Sequence, residues 1–322
     1  MIIAGDVGGT STRLGLFDSV PPRPRAVAVR VFATRDFANL STMVTAFITD
    51  PAVTGASIDT GSFGVAGPVV GDTARLTNVN WRIDTGEMAA AFRWKRVRLL
   101  NDLQAMAYAV PVLTESEVHT LQEGEALKGG NIALIAAGTG LGEALLHNID
   151  GRIVPSATEG GHADYAARND REVDLMRDLT SRYGRAEVEH VISGHGITNI
   201  HRVTHRAPCE AGINPDDRDA PAAIAGSALE RRCPGCIAAL DLFVDAYGAE
   251  AGNLALRSLS TGGVYVGGGI APKILPALTT GAFMNAFRSK APFETMLRKM
   301  PVRIILNTEA GLLGAAVFGA AT

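Results

Sequence analysis

The sequence predicts an α/β protein built from two related halves. Apolar runs of strand length alternate with segments of helical spacing, which calls for a sheet that is at least partly parallel. The opening pattern, an apolar run, a Gly-Thr turn and a second apolar run, returns near residue 130. A chain of 322 residues leaves room for a full core in each of roughly two domains.

The elements follow in order. Met1 to Ala4 and Leu14 to Phe17 flank a turn rich in Gly, Asp and Thr and read as hairpin strands. After the turn SVPPRPR, AVAVRVFAT reads as another strand. In LSTMVTAFITD, Leu40, Met43, Val44, Phe47 and Ile48 share one helical face. SIDTGSFGVAGPVVGD reads as a strand ending in a Gly-Pro turn, and WRIDTGEMAAAF as a short helix with Asp84 near its start. RVRLL is a strand, and NDLQAMAYAVPVL turns into a helix. NIALIAAGTGLGEALLHNID repeats the hairpin plan, and TEGGHADYAARND is polar and irregular. Residues from about 170 to 260 are mostly helical in pattern, ending in CPGCIAALDLFVDAYGAEAGNLALRSL. GGVYVGGGIAPKIL reads as a buried strand, a triple glycine and a helix start. PVRIILNTEAGLLGAAVFGAA reads as a strand and a helix whose Gly311, Gly314, Ala315 and Ala316 let backbones approach.

The formal charge of −3 gives no general attraction to nucleic acid or to an anionic membrane. The cysteines, Cys209, Cys233 and Cys236, are few and odd in number, which argues against a disulfide framework and fits a reducing cytoplasm. Neither a signal peptide nor a transmembrane helix is expected: the start lacks a basic n-region with a cleavage site, and no apolar run reaches about 18 residues.

There is no G-x-x-x-x-G-K-[ST] segment, which excludes a Walker-type loop. GTGLGEA carries Glu143 where a dinucleotide fingerprint needs its last glycine, and it runs into a strand. Separate glycine turns remain, at 8–9, 138–142, 160–161 and 267–269. In the first of them, a backbone without Cβ atoms can close its N–H groups on an anion while Asp6, Thr10 and Ser11 handle a phosphate and its metal. Ordinary turn chemistry accounts for the same residues.

Asn101 and Asp102 sit where a strand becomes a helix, so Asp102 is either a general base or a helix N-cap. Glu159 and His162 flank two glycines, an arrangement suited to a polyol, although a lone His is commonly structural. Glu189 is either a third ligand or a solvated helix residue. His201 and His205 have i, i+4 spacing, but no H-E-x-x-H frame accompanies them and the Cys233/Cys236 pair stands alone. No metal role is expected for these residues.

Together these segments resemble the bacterial glucokinase family, within the hexokinase–actin–Hsp70 superfamily. GDVGGTSTRLGL and AAGTGLGEA look like its two phosphate loops, and NDLQAMA like its catalytic segment. TEGGHADY and EHVISGHG look like its sugar-binding segments, VGGGIAPK like the adenosine side, and LNTEAGLLGAA like the closing helix. Seven such segments in order cover nearly the whole chain. Ala157 and Thr158 depart from the Pro or Gly common before the sugar-binding glutamate. CPGC does not reproduce the Cys-rich zinc motif of the repressor–open-reading-frame–kinase group, so the resemblance is to the zinc-free proteobacterial-type branch. No DNA-binding helix-turn-helix precedes Met1, which speaks against a transcriptional regulator.

The resemblance implies a two-domain actin-like ATPase fold (ribonuclease H-like) with the ligand cleft between domains. Residues 1–108 plus 303–322 would form a small α/β domain and 109–302 a large one. It implies transfer of the γ-phosphate of ATP to the 6-hydroxyl of glucose, with Asp102 as general base. Asn101, Asp102, Glu159, His162 and Glu189 would hold glucose. Asp6, Gly8, Gly9, Thr10, Gly138, Thr139, Gly140, Gly268 and Gly269 would hold ATP, and Asp6 its Mg²⁺ through water. A cytoplasmic homodimer without nucleic-acid or membrane partners is implied as well. The alternatives are a kinase for another hexose or an N-acetylated amino sugar, a non-catalytic sugar sensor, and an ATPase or chaperone of the superfamily. EGGHADY speaks against the last.

Overall fold

The computed structural model describes residues 1–76, 79–205 and 208–321. The chain divides into two units, one of Met1–Thr114, Ile153–Ala157 and Asn307–Thr322, the other of Glu115–Arg152 and Thr158–Leu306.

In the first unit, β1 (Ile2–Val7) turns back as β2 (Ser11–Phe17), setting Asp6 opposite Arg13, and β3 (Ala26–Ala33) adds to β2. After α1 (Leu40–Ile48), β4 (Thr60–Val65) lies parallel to β1. A small antiparallel sheet follows, made of β5 (Val69–Val70), β6 (Thr73–Arg75) and β7 (Arg82–Asp84). Then come α2 (Thr85–Phe92), capped by the Asp84 carboxylate, β8 (Arg96–Asn101) parallel to β4, and α3 (Asp102–Ala109). The main sheet has the order β3-β2-β1-β4-β8.

Strand alternation decides what each face carries. Ile3 and Val7 pack with Leu40, Met43, Val44 and Phe47 of α1, as the helical spacing predicts. Ile2 and Ala4 pack on the other face with Ala105 of α3 and with Leu312, Ala315 and Ala316 of the C-terminal helix, Ala310–Ala320. By the same alternation Asp6 belongs to this second face. The two helices meet at very short range: a Cβ on Gly314 would stand 1.7 Å from the Ala105 carbonyl oxygen.

The second unit carries β9 (Val118–Gln122), β10 (Ile132–Ala137), β11 (Leu141–Ile149) and Thr158, the last residue of β12 (Arg152–Thr158). Helices α4 (Asp170–Tyr183), α5 (Gly194–Thr204), α6 (Ala220–Leu229) and α7 (Pro234–Ser258) follow. The unit ends with β13 (Gly263–Gly267), α8 (Leu275–Leu278), α9 (Ala282–Arg288), α10 (Glu294–Lys299) and β14 (Val302–Ile305). Its sheet runs β11-β10-β13-β14-β9, with β10, β13 and β14 parallel. The β10–β11 hairpin confirms the predicted repeat of the opening plan. Ala133, Ile135 and Ala137 of β10 share one core with Phe243 and Tyr247 of α7 and Phe283 and Phe287 of α9. Among the described residues no helix is long and apolar enough to cross a membrane.

Candidate active site

In the first unit the predicted residues gather at the carboxyl ends of parallel strands, where α/β sheets collect ligands. Asp6 is one residue from the end of β1, level with Gly64 of β4, and Val65 is level with Asn101 of β8. The turn after β1 is braced from within. Gly8 N donates to Ser11 O at 3.1 Å, Thr34 Oγ1 to Gly8 O at 2.7 Å, and Thr34 N to Thr10 O at 3.0 Å. Thr34 therefore orders the loop of Gly8, Gly9 and Thr10. Sequence reasoning missed it, because nothing local links residues so far apart.

The helix cap falls to Asn101. Its Oδ1 accepts from Leu103 N at 2.9 Å, and Asp102 is the first residue inside α3. The N-cap reading of Asp102 is thereby corrected: its neighbour does that work, and Asp102 Oδ1 takes the Leu103 N–H at 2.8 Å as well. Burial raises the Asp102 carboxyl above the ordinary aspartate range, and the negative charge of Asp6 adds to this against the Leu103 and Asn101 contacts. Burial also raises Asp6, opposed by Arg13, whose Nη1 is 3.6 Å from Oδ2.

In the second unit, two glycine turns leave neighbouring parallel strands. Gly138, Thr139 and Gly140 follow β10; Gly268 and Gly269 follow β13. Tyr247, fully buried, ties the strand ends: Ala137 N donates to its hydroxyl at 3.2 Å, and the hydroxyl donates toward Gly267 O at 3.3 Å. Gly194 N, at the start of α5, donates to Gly138 O at 2.8 Å. Glu189 is partly buried and outside any helix, unlike a solvated helical residue. Its Oε2 accepts from Leu141 N at 2.7 Å and so holds the Gly138–Gly140 turn.

Glu159, His162 and Glu189 surround one short 3₁₀ turn, Gly160–His162. His162 N donates to Glu159 O at 3.0 Å and Glu189 N to Gly161 O at 2.8 Å. Glu187, which sequence reasoning passed over, lies 2.7 Å from His162 Nδ1. That contact raises the His162 pKa, with further help from the charges of Glu189 and Glu159. Arg185 in turn grips Glu187 and donates to His162 O at 2.7 Å. Glu187 lies two residues before Glu189, a spacing that was the available signal.

Glu143 is the third missed residue, although its sequence signal was a carboxylate where a glycine was expected. It faces Ile135 across the hairpin and is 1% exposed. The first glycine of TEGGH fits against it: a Cβ on Gly160 would stand 2.2 Å from Glu143 Oε2. Burial pushes the Glu143 carboxyl up to about 7, reinforced by Glu250 and opposed by Arg257 at 3.6 Å.

One further expectation is corrected here. Cys233 and Cys236 do not stand alone, because Cys209 Sγ lies 3.8 Å from the first and 3.7 Å from the second, with His205 beside them. A chain reversal between α5 and α7 makes this approach, and sequence spacing does not register it.

The chain matches the family model described as Glucokinase over residues 3–322. It is 37% identical to a glucokinase of Nostoc sp., with 99% of each chain covered. It is 33% identical to a glucokinase of Cronobacter sakazakii over 97% of this chain and 95% of that one. The crystal structure of glucokinase from an Antarctic psychrotroph superposes with a TM-score of 0.86 at 29% identity, covering 100% of this chain and 99% of the other. The architecture is thus the actin-like ATPase fold that the motif order implied. On sequence, length and fold alike, the chain belongs to the glucokinase family.

Proposed function

We propose that this chain transfers the γ-phosphate of MgATP to the 6-hydroxyl of glucose, giving glucose 6-phosphate and ADP, with Asp102 as general base. The observation that carries this reading is the state of Asp102. It is a carboxylate at a strand's carboxyl end, with Asn101 as the cap of α3 and one of its own oxygens on Leu103 N, and burial raises its pKa toward the operating pH. In its carboxylate form, such a group takes the proton of the 6-hydroxyl as that oxygen attacks the γ-phosphorus.

Asn101, Glu159, His162 and Glu189 are the proposed partners of the sugar hydroxyls. The Glu187 contact fixes the His162 ring and favours its charged form, which makes the ring a donor. The turns at Gly8–Thr10, Gly138–Gly140 and Gly268–Gly269 are the proposed phosphate and adenosine contacts. Gly138 and Gly269 support this: a Cβ at either would meet no atom within 4 Å, so packing among the described residues does not require glycine there. A phosphate approaching the backbone does require it.

The Asp6 oxygens suit Mg²⁺, which takes one or two carboxylates beside phosphate oxygens. Arg13 stands off from Asp6 at 3.6 Å. Asp6 is the residue that would hold the ion, which when bound neutralises charge on the phosphates. We also read the chain as a cytoplasmic homodimer, on the family resemblance, and light scattering tests the stoichiometry.

The test is ADP release with MgATP and glucose, beside Asp102→Asn and a panel of hexoses that includes N-acetylglucosamine. Glucose turnover should fall about 10²–10⁴-fold in the variant, the contribution of a positioned base. In the wild type it should decline in acid through a pKa above the ordinary 3.8. Turnover that survives the substitution removes Asp102 as base. Turnover with another sugar alone moves the substrate, and glucose binding without turnover leaves a sensor.

A further inference from the structure

The last turn of α5, the segment at Cys209 and the first turn of α7 converge on one point in the second unit. His205 Nε2 lies 3.3 Å from Cys233 Sγ and 4.0 Å from Cys236 Sγ. Cys209 Sγ lies 3.8 Å from Cys233 Sγ and 3.7 Å from Cys236 Sγ. Zinc holds sulfur at about 2.3 Å and imidazole nitrogen at about 2.0–2.1 Å, so a tetrahedral site has edges of about 3.5–3.8 Å. These four of the six edges match that geometry to within about half an ångström. Packing of buried thiols would bring sulfurs equally close, but it would not order the imidazole.

The imidazole is ordered. His205 Nδ1 lies 2.8 Å from His201 O, so it donates there and leaves the Nε2 lone pair aimed at the sulfurs. The CPGC knuckle is shaped around that ring, since a Cβ on Gly235 would stand 2.4 Å from His205 Nε2. Cys233 is the N-cap of α7 and Cys236 is in its first turn, where the helix dipole favours thiolate. His201 adds an independent sign. It is 3% exposed, both ring nitrogens lack a hydrogen-bond partner among the described residues, and its ring centroid is 3.6 Å from that of His205. Its ligand atom, with those of His205, Cys209 and Cys236, falls within a 4.8 Å group.

We propose that His205, Cys209, Cys233 and Cys236 bind one Zn²⁺, with His201 packed beside the site. Binding displaces the thiol protons to solvent and involves no oxidant. The ion would pin the end of α5 to the start of α7. The other end of α5 holds the Gly138 turn through Gly194, so a structural metal here would steady that turn from a distance.

The full chain, reduced and stripped with chelator, is titrated with Co²⁺ and then Zn²⁺. The expected result is one Co²⁺ per chain, with the intense visible bands of tetrahedral cobalt and a sulfur-to-cobalt charge-transfer band, all bleached by Zn²⁺. Cys209→Ser should weaken the charge-transfer band, and the Cys233→Ser/Cys236→Ser pair should abolish it. Zn²⁺ should also slow iodoacetamide labelling of all three cysteines in the unmodified chain, a readout that needs no variant to fold. A reduced chain that gives no tetrahedral cobalt spectrum overturns the proposal. So does a spectrum that persists without Cys233 and Cys236, or labelling that is indifferent to Zn²⁺.

Discussion

Replacing Glu143 by Gln should change how stability depends on pH. The native carboxyl titrates at about 7, against 4.5 for an ordinary glutamate, because it is buried beside Glu250. Each pKa unit is worth about 1.4 kcal/mol, so ionising Glu143 in the folded chain costs about 3 kcal/mol more than in the unfolded one. Below pH 4.5 both states are protonated and the penalty is absent. Between 4.5 and about 7 the unfolded chain releases its proton first, so stability falls as pH rises; above 7 the loss is complete. Gln keeps the shape and carries no charge, and Arg257 keeps its Glu250 partner. Urea unfolding followed by circular dichroism, from about pH 4.5 to about 8.5, gives the difference between variant and wild type. That difference should move by about 3 kcal/mol in favour of the Glu143→Gln variant across the range, and comparison across pH cancels the fixed cost of the swap. A difference that does not change with pH, or one that moves the other way, refutes the assignment of a buried, proton-holding Glu143.

Two glycine substitutions should separate packing from binding. Gly314→Ala drives a Cβ into the Ala105 carbonyl of α3, a backbone atom that cannot rotate away. Overpacking of about 1–3 kcal/mol outweighs the roughly 1 kcal/mol that Ala gains over Gly in a helix. The urea midpoint should fall, and an unchanged midpoint would mean that the helices are not in contact there. Gly138→Ala meets open space, so its melting temperature should match wild type while KM for ATP rises about 10–100-fold, the worth of one or two hydrogen bonds to a charged group. An unchanged KM would remove this turn from the phosphate contacts.

Much of this protein was legible from its sequence because local rules govern it. Period-two and period-3.6 patterns located the two hairpins, α1 and the long α7, and the small residues of LNTEAGLLGAA announced a tight helix pair. The glycine turns and the carboxylates at strand ends were visible because their chemistry is confined to a few consecutive residues. Only the tertiary structure decided which carboxylates are perturbed. Desolvation and Coulomb energy depend on distance in space: Asp6 acts on Asp102, and Glu250 on Glu143, across about a hundred residues of chain. It also decided that Asn101, not Asp102, caps α3, since the two differ by one residue and the backbone angle selects between them. Likewise it made a cluster of three cysteines and two histidines from residues that the sequence scatters over positions 201 to 236, because a chain reversal brings them together while spacing records only separation along the chain.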